Sequence, residues 1–357
     1  MWRENLKKWQ ELPEYISGIS LEEARKIAGP KSFLRLQSNE NLFIPKDLVA
    51  KILLEASEEI DVRFYPKEII NQLTEEIAKR NSVNPSMVIV GSGADQLIEL
   101  IVKALGFKGK VFLHNPTYSY YKVVALQNGL EVVSQEYING SSINFKAINE
   151  HNPDVVFICN PNNPTGELTP KEEIKALAEE GKRLVVVDET YAELSKVTNE
   201  DLLLYYDNLI ILRTFSKAYG LAGLRLGYAL ASEYVIKALR KAQSPFPVTS
   251  ISAAAALKAL EMRSAFEKYW EEALETRAWF VSQLDESVLK TKSASYFLTI
   301  SFRVDQEKAF LSLLREGYVT RKIEPFGTFR NPIRLNLAPK ELIENLPHLI
   351  NKINSSI

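Results

Sequence analysis

Residues 211–231 read ILRTFSKAYGLAGLRLGYALA, which is two apolar runs joined by a segment that carries one lysine. The runs Leu209–Leu212 and Leu226–Ala231 have the length of buried strands, and the glycines between them predict close backbone approach or unusual dihedral angles. A lysine at the end of a buried strand loses hydration, which lowers its pKa and frees its amine to attack carbonyl groups. Lys217 is therefore a candidate nucleophile.

The residues around Lys217 suit a carbonyl compound that carries a phosphate. Thr214 and Ser216 bear hydroxyls, Arg225 follows eight positions after the lysine, and both kinds of side chain bind phosphate oxygens. Together they predict a Schiff-base site for pyridoxal phosphate. A plain strand–loop–strand connection with a solvated lysine is the alternative, because most lysines are surface charges.

The order T-x-S-K followed by Arg225 resembles the lysine segment of the aspartate aminotransferase superfamily of pyridoxal-phosphate enzymes. The longer string RTFSKAYGLAGLRLGY is most similar to the histidinol-phosphate aminotransferase branch, a class II group of fold type I. The resemblance implies that Lys217 holds the cofactor and also acts as the base that moves the substrate proton.

Composition describes an ordinary globular protein. The 357 residues are too many for one small core, so we expect two domains around a shared cleft. The 44 basic and 45 acidic residues nearly cancel and form no block, which gives no support to nucleic-acid or membrane binding. The single cysteine, Cys159, lies in an apolar run, and the charged N-terminal region 1–15 does not resemble a signal peptide. We therefore expect a cytoplasmic protein.

Helical and strand-like segments alternate from about residue 68 to residue 231. The apolar strand candidates are Val88–Val90, Lys110–Leu113, Leu130–Val133, Val155–Cys159, Leu184–Val187, Leu209–Leu212 and Leu226–Leu230. Solidly apolar strands separated by helices predict an α/β fold whose mainly parallel, doubly wound sheet is covered on both faces. No helix separates the last two candidates, which allows an antiparallel edge strand.

The remaining chain predicts a smaller α+β domain. The sequence SPFP at residues 244–247 is the clearest break, and strands and helices alternate less regularly after it. We expect a large cofactor domain over residues 41–246, a small domain over 247–357, and an N-terminal segment, 1–40, that joins the small domain and a dimer contact. Trp2, Leu6 and Trp9 recur at helical spacing and would pack on either their own domain or a second subunit.

In a doubly wound sheet, ligands bind beyond the carboxyl ends of the strands. GSGADQ at residues 91–96 follows a strand and opens a helix, whose free N–H groups suit a phosphate, although a simple helix cap is the alternative. The segment resembles the family's phosphate-binding turn, with the N–H groups of Ala94 and Asp95 as donors.

Further resemblance assigns roles to residues after three other strands. Tyr118 in HNPTYSYY would stack on the pyridine ring, and Asn163 in NPNNPTG would reach the cofactor's phenolic oxygen. Asp188 in DETY would face the ring nitrogen, with Tyr191 beside the phenolic oxygen. A rigid turn at NPNNPTG and a helix cap at Asp188 are the structural alternatives.

Substrate and partner contacts also follow from the resemblance. Arg334 occurs where the family binds a carboxylate, and Arg321 occurs where histidinol-phosphate aminotransferases bind the substrate phosphate together with a tyrosine, here Tyr15. Tyr65, in RFYPKE, would contact the cofactor phosphate of the neighbouring subunit, which implies a homodimer. Taken singly, each arginine would be a surface charge and Tyr-Pro a turn.

The sequence therefore predicts an aminotransferase that uses pyridoxal phosphate, with histidinol phosphate as amino donor and 2-oxoglutarate as acceptor, in histidine biosynthesis. Two alternatives within the family are an aromatic amino-acid aminotransferase and a relative of threonine-phosphate decarboxylase. A nucleotide-binding doubly wound protein and an inactive cofactor-binding regulator are alternatives from other classes. The His and Cys residues of the sequence do not have the spacing of a metal site.

Overall fold

The computed structural model describes residues 2–106 and 108–356. Its α-helices, in chain order, are α1 (Trp2–Gln10), α2 (Leu21–Ala28), α3 (Lys46–Glu58), α4 (Lys67–Arg80), α5 (Gly93–Leu105), α6 (Tyr120–Gln127), α7 (Phe145–His151), α8 (Lys171–Glu179), α9 (Ala192–Ser195), α10 (Glu233–Ala242), α11 (Ser250–Glu261), α12 (Arg263–Ser282), α13 (Gln306–Arg315), α14 (Lys340–Ile343) and α15 (Leu346–Ser355). Its strands are β1 (Leu34–Arg35), β2 (Val88–Gly91), β3 (Lys110–Asn115), β4 (Glu131–Glu136), β5 (Val155–Cys159), β6 (Leu184–Asp188), β7 (Leu209–Thr214), β8 (Gly227–Ala231), β9 (Leu289–Lys290), β10 (Phe297–Ser301), β11 (Tyr318–Val319), β12 (Arg321–Lys322) and β13 (Pro332–Asn336).

The largest sheet has seven strands in the order β2-β8-β7-β6-β5-β3-β4. All of its neighbouring pairs are parallel except those made by β8, which runs antiparallel to both β2 and β7. The predicted α/β fold with a mainly parallel sheet is confirmed. The sequence allowed an antiparallel edge strand after β7, and β8 is indeed antiparallel to β7. It is not an edge strand, because β2 pairs with its other side.

Helices cover both faces of this sheet, so its strands are apolar on both sides. Along β2, Ile89 packs into a core with helices α5, α6 and α10, whereas Val88 and Val90 pack into the larger core on the opposite face. Successive side chains of a strand point to opposite faces, so each strand serves both cores. This double burial explains why these strands were readable as continuous apolar runs.

Two smaller sheets are built from strands of the second half of the chain together with β1. One has four strands in the order β12-β13-β10-β9, and the other pairs β1 in parallel with β11. The pairing of Leu34 with Tyr318 brings the N-terminal segment to the C-terminal part of the chain. Helix α11 follows the SPFP break in the sequence. It nevertheless packs on α3 and α4, which precede that break.

Helix α1 forms where the helical spacing predicted it, but its apolar residues are not packed on this chain. Trp2, Leu6 and Trp9 are all more than half exposed. Of the two alternatives, packing on its own domain is therefore not observed. Helix α2 begins with a capping box, since the Ser20 N–H donates to the Glu23 carboxylate and the Glu23 N–H donates to the Ser20 hydroxyl.

No helix within residues 2–106 and 108–356 is both long enough and apolar enough to cross a membrane.

Candidate active site

A cavity of about 320 Å³ lies at the carboxyl ends of the parallel strands, and we call it the strand-end cavity. It contains every site residue predicted from the sequence except Tyr65. The predicted residues that line it are Tyr15, Ala94, Asp95, Tyr118, Asn163, Asp188, Tyr191, Thr214, Ser216, Lys217, Arg225, Arg321 and Arg334. Residues up to 319 positions apart in the sequence thus meet at one place, as expected for this sheet edge.

The pairing of β8 with β2 and β7 brings two segments together at one end of the cavity. Gly227, its first residue, pairs with Gly91 at the end of β2 and with Thr214 at the end of β7. The loop before α5 and the segment carrying Lys217 therefore lie side by side. A Cβ at Gly227 would lie 2.8 Å from the backbone nitrogen of Ala94, so only glycine permits this approach.

This end of the cavity has the donors that bind an anion. The N-terminus of α5 supplies backbone N–H groups at Ala94 and Asp95, and Thr214, Ser216 and Arg225 also line the cavity. The Arg225 guanidinium lies 2.8 Å from the Asp95 carboxylate. A Cβ at Gly93, whose φ is +78°, would lie 2.7 Å from Arg225 Nη2, so glycine leaves space for that side chain.

Lys217 projects its amine into the cavity, where Nζ donates to the carbonyl oxygen of Ser38 at 2.9 Å. Burial lowers the pKa of Lys217 to about 8, and the positive charge of Arg334 acts in the same direction. The carboxylates of Glu40 and Asp95 oppose the shift but do not cancel it. A substantial fraction of this amine is therefore unprotonated near neutral pH and able to attack a carbonyl.

We expect Lys217 to titrate well below the other lysines in protein freed of any cofactor. Because burial favours the neutral amine, Lys217 is mostly protonated below about pH 8 and mostly neutral above it, whereas a solvated lysine changes near pH 10. Reductive methylation with ¹³C-formaldehyde and NMR titration of the dimethyl-lysine signals measures this, with Lys217→Arg identifying the resonance. A Lys217 signal that titrates with the bulk of the lysines would contradict the prediction.

The opposite part of the cavity holds a buried carboxylate, Asp188, the last residue of β6. Its Oδ1 accepts from the Thr190 hydroxyl at 2.5 Å and the Thr190 N–H at 3.1 Å, and its Oδ2 accepts from the Tyr121 hydroxyl at 2.6 Å. Burial holds the pKa of Asp188 above its ordinary value, and these hydrogen bonds offset only part of that shift. The environment thus combines a low-dielectric site with several donors that stabilise a charged carboxylate.

Tyr118 forms one wall of the cavity between these two ends. Its hydroxyl donates to Asp95 Oδ1 at 3.1 Å, and its ring lies edge-on to Tyr15, with 5.8 Å between ring centroids, and to Tyr121. These contacts hold the ring in place. A rigid aromatic wall beside a carboxylate and an amine suits a flat ligand ring.

Tyr191 and Asn163 are each oriented by a second side chain. The Tyr191 hydroxyl accepts from Asn39 Nδ2 at 2.9 Å, which leaves its own proton available for donation. The amide oxygen of Asn163 accepts from Arg334 Nη1 at 2.6 Å, so its amide N–H groups face other partners. Both residues are thus prepared to donate to an oxygen atom in the cavity.

The two predicted substrate arginines are direct neighbours. Arg321 and Arg334 pair across the antiparallel strands β12 and β13, and both line the cavity with Tyr15. Arg334 is buried and also donates to the Gln37 carbonyl, while Arg321 donates to the Ile16 carbonyl. Neither has a carboxylate partner among residues 2–106 and 108–356. This end of the cavity therefore carries two uncompensated positive charges.

Tyr65 lies outside the strand-end cavity of its own chain. Its side chain is 74% exposed and its ring stacks on Phe246, with 4.5 Å between ring centroids. The predicted role of Tyr65 on a neighbouring subunit's cofactor stays a prediction.

Sequence reasoning missed several residues of the site. The cavity is also lined by Ser17, Gly18, Gln37, Ser38, Asn39, Cys159 and Thr190, and Tyr121 lies directly behind Asp188. Cys159 ends a parallel strand and was identifiable by the strand-end rule. Asn39 lies in the polar segment QSNEN, residues 37–41, but no local pattern indicates that its amide bonds a tyrosine 152 residues away.

A larger cavity, of about 530 Å³, lies elsewhere and contains Arg213, which is next to Thr214 in the lysine segment. The Arg213 guanidinium is buried and forms ion pairs with Glu189, Glu193 and Glu200 at 2.7–3.2 Å. Since these carboxylates occupy the Arg213 guanidinium, we interpret Arg213 as a structural residue. Among the described residues, no group of three His, Cys, Asp or Glu side chains is arranged to hold a metal ion.

The sequence was compared with known families and proteins. The family model described as aminotransferase class I and II matches residues 31–353, which includes every lining residue after Gly18. The chain belongs to this family. A histidinol-phosphate aminotransferase of Geobacillus sp. (strain WCH70) is 32% identical to this aminotransferase over 353 residues, covering 96% of each chain.

Solved structures share the fold of this aminotransferase. A histidinol-phosphate aminotransferase of Sinorhizobium meliloti, in complex with pyridoxal-5'-phosphate, matches with a TM-score of 0.84 at 24% identity and covers 97% of this chain and 96% of that one. An L-threonine-O-3-phosphate decarboxylase of Porphyromonas gingivalis matches with a TM-score of 0.80 at 22% identity, covering 89% of this chain and 98% of that one. At these identities the likeness concerns the fold, and the substrate must be argued from the site.

Proposed function

We propose that this enzyme is a pyridoxal-phosphate-dependent histidinol-phosphate:2-oxoglutarate aminotransferase that acts in histidine biosynthesis in the cytoplasm. The observation that carries the substrate assignment is the adjacent pair Arg321 and Arg334, two positive charges without a carboxylate partner among the described residues. Curated relatives with this activity match nearly the full length of the chain. The buried free thiol of Cys159 accords with a reducing compartment.

The residues of the strand-end cavity fit pyridoxal phosphate. Gly93 leaves room for Arg225 beside the N-terminus of α5, and Asp188 is a buried carboxylate suited to a protonated ring nitrogen. The phosphate would be held by the N–H groups of Ala94 and Asp95, by Thr214 and Ser216, and by Arg225. The ring would be held by Tyr118, Asp188, Asn163 and Tyr191, with Lys217 as the covalent attachment.

When bound, pyridoxal phosphate supplies an electron-withdrawing ring that stabilises negative charge at the substrate carbon. The protein's residues then have distinct tasks. Lys217 Nζ would take the proton from the substrate Cα. Asp188 would place its carboxylate beside the ring nitrogen, and Tyr191 would donate its free hydroxyl proton to an oxygen atom in the cavity.

Substrate recognition is proposed to occur at Arg321 and Arg334. Like charges directly opposite each other on paired strands repel, so an anion between them would relieve an unfavourable arrangement. A guanidinium pair suits the dianionic phosphate of histidinol phosphate, and the same groups would bind the carboxylates of 2-oxoglutarate in the second half-reaction. Tyr15 lines this part of the cavity and would add a hydroxyl donor.

We expect Arg321→Ala to lower kcat/KM for histidinol phosphate by about ten- to a hundredfold, the equivalent of a lost charge-assisted contact of about 1.5–3 kcal/mol. Transamination of phenylalanine, which has a neutral side chain, should be nearly unchanged. Steady-state assays with both donors and 2-oxoglutarate measure the two values.

Lys322→Ala is the matched control, because Lys322 follows Arg321 on the same strand but pairs with Glu307 outside the cavity. Equal losses for both donors in Arg321→Ala, or a wild-type preference for phenylalanine, would favour an aromatic aminotransferase instead. Release of carbon dioxide from threonine phosphate without amino transfer would favour the decarboxylase alternative.

We infer that the enzyme is a homodimer in which each subunit completes the other's cofactor site. Val62, Phe64 and Tyr65 are each at least 70% exposed, and Phe246 stacks beside them, which makes an apolar patch on the free chain. The exposed tryptophans of α1 offer a second apolar surface for the same contact. In this arrangement Tyr65 contacts the phosphate of the partner subunit's cofactor.

Mixing Lys217→Ala subunits with Tyr65→Ala subunits should restore activity through hybrid dimers. In a hybrid with shared sites, one site carries both changes and the other carries neither, so random exchange restores up to about a quarter of wild-type sites. Activity is assayed before and after exchange that mass spectrometry verifies. Absence of recovery despite verified exchange would count against the shared site.

The same proposal assigns the domains. Residues 41–246 would form the large cofactor-binding domain and 247–357 the small domain, with 1–40 joined to the small domain through the pairing of β1 with β11.

A further inference from the structure

The hydrogen bonds of Asp188 divide its two oxygens into different roles. Oδ1 accepts two hydrogen bonds, both from Thr190, whereas Oδ2 accepts one, from Tyr121 at 2.6 Å. A carboxylate oxygen accepts about two hydrogen bonds. Oδ1 is therefore fully used by the protein, and Oδ2 has one acceptor position left for a ligand.

Tyr121 is held so firmly that its hydroxyl has little freedom to leave Asp188. The side chain is fully buried, its ring stacks on Phe157 with 4.9 Å between centroids, and the Tyr118 ring meets it edge-on at 5.5 Å. Phe157 lies on β5 and Asp188 on β6, which are neighbouring parallel strands. The packing of the Tyr121 ring against Phe157 and Tyr118 therefore also points its hydroxyl at Asp188 Oδ2.

Tyr121 is the donor in this bond. Burial and the nearby Asp188 raise the pKa of the Tyr121 phenol well above its ordinary value, so the proton stays on the tyrosine. Around Asp188, burial and the charge of Asp95 favour the neutral acid, while Thr190 and Tyr121 favour the carboxylate. Cys159, its register partner on β5, is a buried thiol with a raised pKa and brings no charge.

We propose that Tyr121 is a positioning residue that keeps Asp188 ionised and directs the free acceptor position of Oδ2 toward the ring nitrogen of the cofactor. This inference rests on the proposed function. A neutral Asp188 would carry no negative charge to hold the proton on the ring nitrogen, and a carboxylate held only at Oδ1 by Thr190 would be less firmly oriented. The tyrosine hydroxyl opposes both, without contacting the substrate.

The test follows the protonation of the ring nitrogen directly. Wild type, Tyr121→Phe and Tyr120→Phe are reconstituted with pyridoxal phosphate labelled with ¹⁵N in the ring, and the nitrogen chemical shift is recorded from about pH 6 to about pH 9. Tyr121→Phe keeps the ring that packs on Phe157 and removes only the hydroxyl. Tyr120→Phe is the control, because its hydroxyl bonds Glu99, which does not line the cavity.

We expect a protonated nitrogen throughout in wild type and in Tyr120→Phe. In Tyr121→Phe the nitrogen should lose its proton with a midpoint inside this range, and the cofactor dissociation constant should rise about tenfold, as for one lost hydrogen bond to a charged group. Thermal unfolding monitored by circular dichroism verifies that the variants remain folded.

The outcomes separate this inference from the proposed function. A wild type that does not take up the cofactor overturns the cofactor assignment itself. A wild type that takes up the cofactor but leaves its ring nitrogen unprotonated overturns the roles assigned to Asp188 and Tyr121. A protonated wild type with Tyr121→Phe identical to it leaves the proposed function standing and overturns the role of Tyr121.

Discussion

We expect Lys217→Ala to abolish amino transfer and the covalent attachment of the cofactor. Lys217 is the lysine whose amine lies in the strand-end cavity, and burial lowers its pKa to about 8, which provides the neutral amine that attachment and proton removal both need. Loss of a catalytic base alone costs on the order of 10⁴-fold in rate. Assays with histidinol phosphate and 2-oxoglutarate, together with borohydride reduction and mass spectrometry, measure both effects.

Lys196→Ala serves as the matched control, since Lys196 is a surface residue whose amine lies 3.5 Å from Glu271, away from the strand-end cavity. It should retain normal turnover and the reducible linkage. A Lys217→Ala protein that still forms the linkage at another lysine and turns over normally would overturn the assignment of the site.

Asp188→Ala should retain bound cofactor and lose about a thousandfold in kcat, or about 4 kcal/mol, by analogy with removal of a preorganised electrostatic group. The physical reason is that no other carboxylate is placed where Asp188 is, fully buried and bonded by Tyr121 and Thr190. Without the Asp188 carboxylate, the protonated ring nitrogen would lose the negative charge that stabilises it in this buried site. Cofactor content is measured by absorbance and kcat by steady-state assay.

Asp201→Asn is the control for Asp188→Ala, because Asp201 is half-exposed and pairs with Lys171 at the surface. A near-native kcat in Asp188→Ala would mean that Asp188 acts only as a cap for the Thr190 N–H. The two variants therefore distinguish an electrostatic role from a structural one.

The large sheet was predictable because of how its strands are buried. Strands β5 and β7 are covered on both faces, so each forms a short continuous apolar run that stands out from the helices around it. The rule that ligands bind at the carboxyl ends of such strands then directed attention to the residues after each run. That rule alone placed Asp188 and the segment with Lys217 at one edge of the sheet.

The position of β8 was less predictable, because strand order depends on which edges remain free once the other strands have paired. The short connection from β7 indicated an antiparallel neighbour, but not that β2 would pair with its other side. That pairing determines how the loop before α5 reaches the lysine segment. Local sequence contains no information about which strand occupies the second edge.

The sequence by itself determined the fold class, the lysine, and most residues that line the cavity, because these depend on local patterns of burial and on motifs that lie close together in the chain. Only the tertiary structure decided how side chains from distant segments orient one another. Asn39 on Tyr191, Tyr121 on Asp188 and the pairing of Arg321 with Arg334 are examples. Each is a contact made across strands or between separate elements of the fold, and its geometry follows from register and packing, which no short stretch of sequence contains.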